Sequence, residues 1–210
     1  MIGALGDDTG LVARLRERDE SAFALLVDRY TPSMLRIARG YVANEYAAED
    51  VVQETWIAVL GGIAGFEGRS SLRTWLFTVL INIAKKRGIR DRRVVATESP
   101  VGASVDRDRF RPAEDPQWPH HWKDDRQPAP FPETPEGSAL GNELMERARR
   151  ELERLPDRQR TVVTMRDLLG LDSAEVCRLL DISLANQRVL LHRGRAAVRQ
   201  ALEGYLAESS

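Results

Sequence analysis

The chain has 210 residues, 42% of them hydrophobic, and 31 Lys and Arg against 32 Asp and Glu leave a formal charge of −1. That is enough apolar content to bury one large core or two small ones, and the balanced charge excludes a wholly basic, histone-like binder. The opening MIGALGDDTGLVARLRERDE meets charge too soon for a signal peptide, no run of about 18 apolar residues follows, and a lone Cys177 makes no internal disulfide, so a reducing cytoplasm without membrane insertion is expected.

From Leu11 to Leu60 the apolar spacing suits helices, not the alternation of strands. Three are predicted. In the first, Ser21 or a neighbour caps, and Phe23, Leu26, Val27 and Tyr30 recur at three and four. Thr31-Pro32 then reads as a restart, because Thr accepts from free N–H groups and Pro at a first helical position forfeits no bond; Met34, Leu35, Ile37, Ala38 and Tyr41 continue it. After Asn44 the third, EYAAEDVVQETWIAVLGG, runs to the pair Gly61 and Gly62. On it Asp50, Gln53 and Glu54 form one polar strip, either solvated surface or an interface. Trp56 and Trp75 read as core anchors.

Gly65 to Ser71 is a glycine-bearing loop, and Ser70 or Ser71 can cap a helix starting near Leu72. Leu72, Trp75, Leu76, Val79, Leu80 and Ile83 make its apolar seam, while Arg73, Thr74, Asn82, Lys85 and Lys86 project elsewhere. Arg69, Arg73, Lys85, Lys86, Arg87, Arg90, Arg92 and Arg93 stand against a single acid, Asp91. This is the electrostatic footprint of a polyanion partner, since phosphate neutralisation supplies most sequence-independent affinity for nucleic acid.

The character changes at Val94. Eight of ten prolines lie between Pro100 and Pro135, and Val94 to Glu143 holds ten acids against five basic residues, the composition of an extended acidic linker. Within it Trp118 and Trp122 are either a docking segment or exposed aromatics without a role, and His120 and His121 lack a suitably spaced third metal ligand.

From Asn142 helices resume. NELMERARRELERL is amphipathic and stops at Pro156, and Val162, Val163, Met165, Leu168 and Leu169 are the next core candidates before Gly170. Asp172 and Glu175 have capping-box spacing for a short helix to Leu180. Asp181-Ile182-Ser183 makes a tight turn, and a longer helix runs from Leu184 beyond Leu202. A short helix, a three-residue turn and a longer helix form the helix-turn-helix pattern. On the second helix Leu190, Leu191, Gly194, Ala197, Val198, Ala201 and Leu202 share one sector, and Asn186, Arg188, His192, Arg193, Arg195 and Arg199 the opposite one. Arg suits guanine edges or phosphate and Asn suits adenine in a major groove.

Two separated stretches resemble one family, the bacterial sigma-70 factors of the compact extracytoplasmic-function (ECF) type. AEDVVQETW (Ala48 to Trp56) and FEGRSSLRTWLFTVLINIAKKR (Phe66 to Arg87) are similar to sigma region two, and LPDRQRTVV (Leu155 to Val163) and EVCRLLDIS (Glu175 to Ser183) to region four. The resemblance implies an all-α chain with region two over residues 1–93, a Pro-rich acidic linker over 94–141 and region four over 142–210. It implies a transcription initiation factor that binds core RNA polymerase at the beta-prime clamp helices and beta flap, engages promoter DNA, and in some members is held by an anti-sigma factor.

By the same resemblance Asp50, Gln53 and Glu54 would dock on the clamp helices. Arg69, Ser70, Ser71, Arg73, Thr74 and Asn82 would meet minus-ten bases or backbone, with Lys85 and Arg87 on phosphate. Asn186, Arg188, His192, Arg193 and Arg195 would read the minus-35 duplex. Where the family often opens this helix with Gly-Thr-Val-Lys, the chain has Ala185-Asn186-Gln187-Arg188, which puts Gln187 on the buried side. Either it bonds a backbone group, or the helix starts a residue away. Cys177 stands where the family commonly has Ala. No catalytic constellation, phosphate-binding glycine loop, metal spacing or cofactor motif is present. A stand-alone helix-turn-helix regulator and a nonspecific nucleic-acid binder are the alternatives.

Overall fold

The computed structural model describes residues 8–92 and 139–208; the linker, with Trp118, Trp122, His120 and His121, lies outside them. Regular structure among the described residues is helical, as the spacing predicts: α1 Asp8–Arg16, α2 Glu20–Ala38, α3 Glu45–Gly62, α4 Leu72–Arg92, α5 Ala139–Arg154, α6 Asp157–Val163, α7 Ser173–Leu180 and α8 Leu184–Glu208. A 3-10 turn follows α3 at Ile63–Gly65, and a π turn precedes α7 at Thr164–Leu168. Two packed units result. In the first, α1–α4 pack with Thr164–Leu184; the second holds α5, α6 and α8 from Ala185 onward.

In the first unit the cap of α2 is Asp19, two residues before Ser21. The Asp19 carboxylate accepts from the backbone N–H of Ser21 at 2.9 Å and of Ala22 at 3.1 Å, from the Ser21 hydroxyl at 2.7 Å, and from Arg14 at 2.8 Å. The Ser21 hydroxyl, then Arg14 and the Ala22 N–H, hold its carboxyl well below the usual carboxylate range. A depressed acid contributes stability that is present above its unfolded value and is lost as the pH falls toward the folded one. Asp19→Asn keeps an acceptor but cannot be protonated. Its deficit in urea midpoint relative to the native chain, clear at pH 7, is therefore expected to shrink at pH 3; an equal deficit at both would remove the role of this charge.

One expected break is absent. Thr31-Pro32 does not restart a helix: α2 runs through Pro32. Proline inside a helix costs about 3 kcal/mol, but Tyr30, Met34 and Ile37 on either side are buried, each worth roughly 1.5–3 kcal/mol. Packing outweighs the lost bond. Thr31, relieved of capping, accepts from the Trp56 indole at 3.2 Å, and Phe23 meets the same ring edge-on with centroids 5.6 Å apart. On α3, capped by Asn44 through the Ala47 N–H at 2.8 Å, Ala48, Val51, Val52, Thr55, Trp56 and Val59 are buried.

The core face of α4 is wider than the predicted seam. Leu72, Leu76 and Leu80 are buried, but so are Phe77, Ile81 and Ala84, whereas Trp75, Val79 and Ile83 are only half-buried. The cause is packing on more than one side, with α2 and α3 and also with α7. Before α7, the π turn carries the Leu169 N–H to the Thr164 carbonyl at 2.9 Å. The extra residue rotates the following side chains by about 100°. Leu168 is therefore exposed, against expectation, while Met165, Leu169 and Leu171 are buried. The capping box of Asp172 and Glu175 is formed, and Asp181 closes α7 in the left-handed region at φ 56°, which Asp tolerates better than most residues.

In the second unit Leu152, Leu155 and Val163 pack with Leu191, Ala197 and Val198. Buried Arg160 pins the α5–α6 corner by donating to the carbonyls of Glu153 at 2.9 Å and Leu155 at 3.2 Å while pairing with Asp157. Gln187 is 1% exposed on a helix that does start at Leu184, and neither atom of its amide has a hydrogen-bond partner. Its burial follows from sharing a face with Gly194, which lies against Val163 and Leu155.

Candidate nucleic-acid and protein interfaces

On α3, Asp50, Gln53 and Glu54 are all exposed, opposite the face that builds the core. Three large apolar side chains share their row: Tyr46 is 81% exposed, Ile57 71% and Leu60 51%. Spacings of 4, 3, 4 and 3 residues from Tyr46 through Asp50, Gln53 and Ile57 to Leu60 make one continuous stripe. Sequence reasoning missed its apolar members because Ile57 and Leu60 look like core positions until the buried face is known. A mixed acidic and apolar stripe of this length is suited to a protein partner.

The residues expected at minus-ten DNA divide by environment. Arg69, Ser70 and Asn82 are exposed, with Arg69 paired to Glu67 at 2.9 Å. Arg87, half-buried, donates to Asp50 at 3.0 Å, tying α4 to α3. Ser71 is the cap of α4: its oxygen accepts from the Thr74 N–H at 3.1 Å. Thr74 is only 7% exposed, and its hydroxyl donates to Glu175 at 2.6 Å. Arg73 reaches the Gly170 carbonyl at 3.5 Å and Lys85 the Leu179 carbonyl at 3.3 Å. These three are thus gathered against Thr164–Leu184. Nothing in their own spacing foretells that, because the partner lies about a hundred residues downstream.

In the other unit, Asn186, Arg188 and Arg195 are exposed on α8, and His192 and Arg193 are half-buried. Asn186 and Arg188 fall in the first two turns, the end that a recognition helix presents to base edges. Among the described residues no group of His, Cys, Asp or Glu could hold a metal ion, and no helix is long and apolar enough to cross a membrane. The arrangement offers hydrogen-bond donors, charge and apolar surface, which is binding chemistry.

The sigma-70 region 2 profile matches residues 26–94 and the sigma-70 region 4 profile residues 145–198. The RNA polymerase sigma-H factor of Pseudomonas aeruginosa is 30% identical over 203 residues, covering 96% of this chain and 97% of its own. The ECF RNA polymerase sigma-E factor of Haemophilus influenzae is 28% identical over 196 residues, covering 93% and 95%. A solved chain of the sigma factor RpoE from Bartonella quintana, in complex with the anti-sigma factor NepR, is 19% identical at a TM-score of 0.46, covering 86% of this chain and 96% of that one. With both regions present in order and a relative alike along nearly its whole length, the chain belongs to the sigma-70 family, in its ECF type, and is a transcription initiation factor that directs RNA polymerase to promoters.

Proposed function

We propose that the exposed stripe of α3 is where this factor binds core polymerase, with Asp50, Gln53 and Glu54 supplying charge and amide contacts and Ile57 and Leu60 the buried area. The single observation that supports this most is the exposure of Tyr46, Ile57 and Leu60 in one row with those polar residues, since exposed apolar residues in a contiguous patch mark interaction sites. The partner surface would be the beta-prime clamp helices, with region four meeting the beta flap. The loop and helix from Phe66 onward handle the minus-ten element through Arg69, Ser70, Ser71, Arg73, Thr74, Asn82, Lys85 and Arg87. The start of α8 reads the minus-35 duplex through Asn186, Arg188, His192, Arg193 and Arg195. Region two, linker and region four span residues 1–93, 94–141 and 142–210. The factor works in the cytoplasm, and an anti-sigma factor would act by covering the same α3 stripe or α4.

Reconstituted transcription tests the whole reading. Bare core polymerase plus the full chain is expected to initiate at a defined start on promoter DNA and not on scrambled DNA. A stand-alone regulator would bind duplex DNA yet support no initiation, and a nonspecific binder would treat both DNAs alike. Asp50→Ala with Glu54→Ala is expected to weaken polymerase binding and to spare DNA affinity; unchanged polymerase affinity would remove this interface assignment.

A further inference from the structure

We propose that Arg16, on α1, is a positioning residue for the loop that precedes α4, fixing its entry so that residues 67–70 are held ready for an unpaired base; this rests on the reading of that loop as part of the minus-ten element. Arg16 Nη2 donates to the Phe66 carbonyl at 2.6 Å, across 50 residues of chain. No spacing in the sequence pairs them. Phe66 is where core gives way to loop: its ring is buried with its centroid 5.2 Å from that of Trp75 on α4, and its N–H closes the 3-10 turn on the Ile63 carbonyl at 3.2 Å. Glu67, Gly68, Arg69 and Ser70, which follow, are all exposed.

At ψ 114° the backbone of Phe66 has left the 3-10 turn and become extended, so its carbonyl takes a partner from outside regular structure. A guanidinium donor makes that bond charge-assisted, and such bonds are roughly twice as strong as neutral ones. Arg16 is itself held from behind. Val12 and Leu15 of the same helix are buried, and beyond its end Arg18, at a left-handed φ of 59°, donates its N–H to the Leu15 carbonyl at 3.1 Å while the Asp19 N–H meets the Arg14 carbonyl at 3.0 Å. The donor therefore stands on a packed and closed element, as a positioning contact requires.

The far end of the loop is fixed independently, because Ser71 caps α4 through the Thr74 N–H. Glu67 to Ser70 thus run between two fixed points. Between them Gly68 reverses the chain at a φ of 71°, which glycine adopts without strain, and Glu67 pairs with Arg69 at 2.9 Å. That pair is too exposed to hold the loop by itself, so the ends must do it. A loop without its entry anchor has to be ordered at the moment of capture, and ordering the backbone of one residue costs about a factor of ten in affinity. Arg16 removes that cost beforehand without touching DNA.

The test uses the full chain, free and with core polymerase. In the free chain the heteronuclear NOE of the Glu67, Gly68 and Arg69 amides reads backbone order on the picosecond to nanosecond scale; Arg16→Ala is expected to lower it there and to leave α4 unchanged. In the holoenzyme the readout is the ratio of affinities for promoter DNA already opened across minus-ten and for the same DNA with those bases scrambled. Arg16→Ala should cut that preference by roughly threefold to tenfold, and Arg16→Lys, which keeps a charged donor, should restore part of it. Arg14→Ala removes a neighbouring charge and the Asp19 contact on the same helix, and should match the native chain in both readouts. An unchanged NOE in Arg16→Ala, or an Arg14→Ala chain that loses loop order equally, overturns the anchor; so does a native preference that Arg16→Ala retains in full. A native holoenzyme with no preference overturns instead the assignment of the loop to minus-ten DNA.

Discussion

Ile57→Lys is expected to lower the affinity for core polymerase by about tenfold to a hundredfold while leaving thermal stability and DNA affinity unchanged. The side chain is 71% exposed, so the fold gains almost nothing from it. In a complex that covers it, full burial of an isoleucine is worth roughly 1.5–3 kcal/mol, and each 1.4 kcal/mol is a factor of ten. The neighbouring acids carry less. Asp50 and Glu54 are exposed, and charges at a wet rim contribute on the order of 1 kcal/mol or less and mainly steer association. Ile57 should therefore change the dissociation rate and Glu54 the association rate and its salt dependence. Stopped-flow mixing of labelled core polymerase with the full chain, at two salt concentrations, gives both rates and separates them. Retained affinity in Ile57→Lys would show that the apolar members of the stripe are incidental.

Gly88→Ala is expected to destabilise the first unit by about 2 kcal/mol, although alanine is the better helix former by about 1 kcal/mol. A Cβ at this position would stand 2.3 Å from the Tyr41 carbonyl oxygen. That oxygen belongs to backbone just beyond α2, held by the Tyr41 N–H bond to Ala38 at 2.9 Å, so no side-chain rotation relieves the clash. Overpacking of this kind costs roughly 1–3 kcal/mol and sometimes more, which overcomes the propensity gain. Gly204→Ala on α8 is the contrast, because a Cβ there meets nothing within 4 Å; it should be neutral or stabilising by up to about 1 kcal/mol. Urea denaturation of the two full-length variants gives opposite signs if close approach is what requires glycine at 88. Equal shifts would mean that α2 and α4 separate at little cost.

The pairing of Asp50 with Arg87 links the two expected surfaces of the first unit. One belongs to the α3 stripe and the other to the basic end of α4, and their 3.0 Å contact neutralises both. Such an exposed pair adds on the order of 1 kcal/mol or less to stability.

Local features were legible from the residues alone because their causes are local. Asn44 and the glycine pair bounded α3, Asp172 and Glu175 announced a capping box, and the short turn at Asp181 before a basic helix marked the helix-turn-helix. The concentration of charge from Arg69 onward was equally visible, whereas of the sector expected to face outward on α8 Asn186, Arg188 and Arg195 are exposed and His192, Arg193 and Arg199 half-buried. Even the awkward burial of Gln187 followed from helical spacing. What only the tertiary structure decided were outcomes set by distant partners. Pro32 did not break α2, since buried Tyr30, Met34 and Ile37 outweigh one missing bond. Leu168 turned outward because a π turn, whose bonds depend on packing, rotated the register. Ile57 proved exposed and Phe77 buried, although their residue types are alike, because spacing defines a face but not what covers it. Thr74, Arg73 and Lys85 met Glu175, Gly170 and Leu179. No periodicity encodes a contact across a hundred residues; the spacing of α4 defines its polar face but not what meets it.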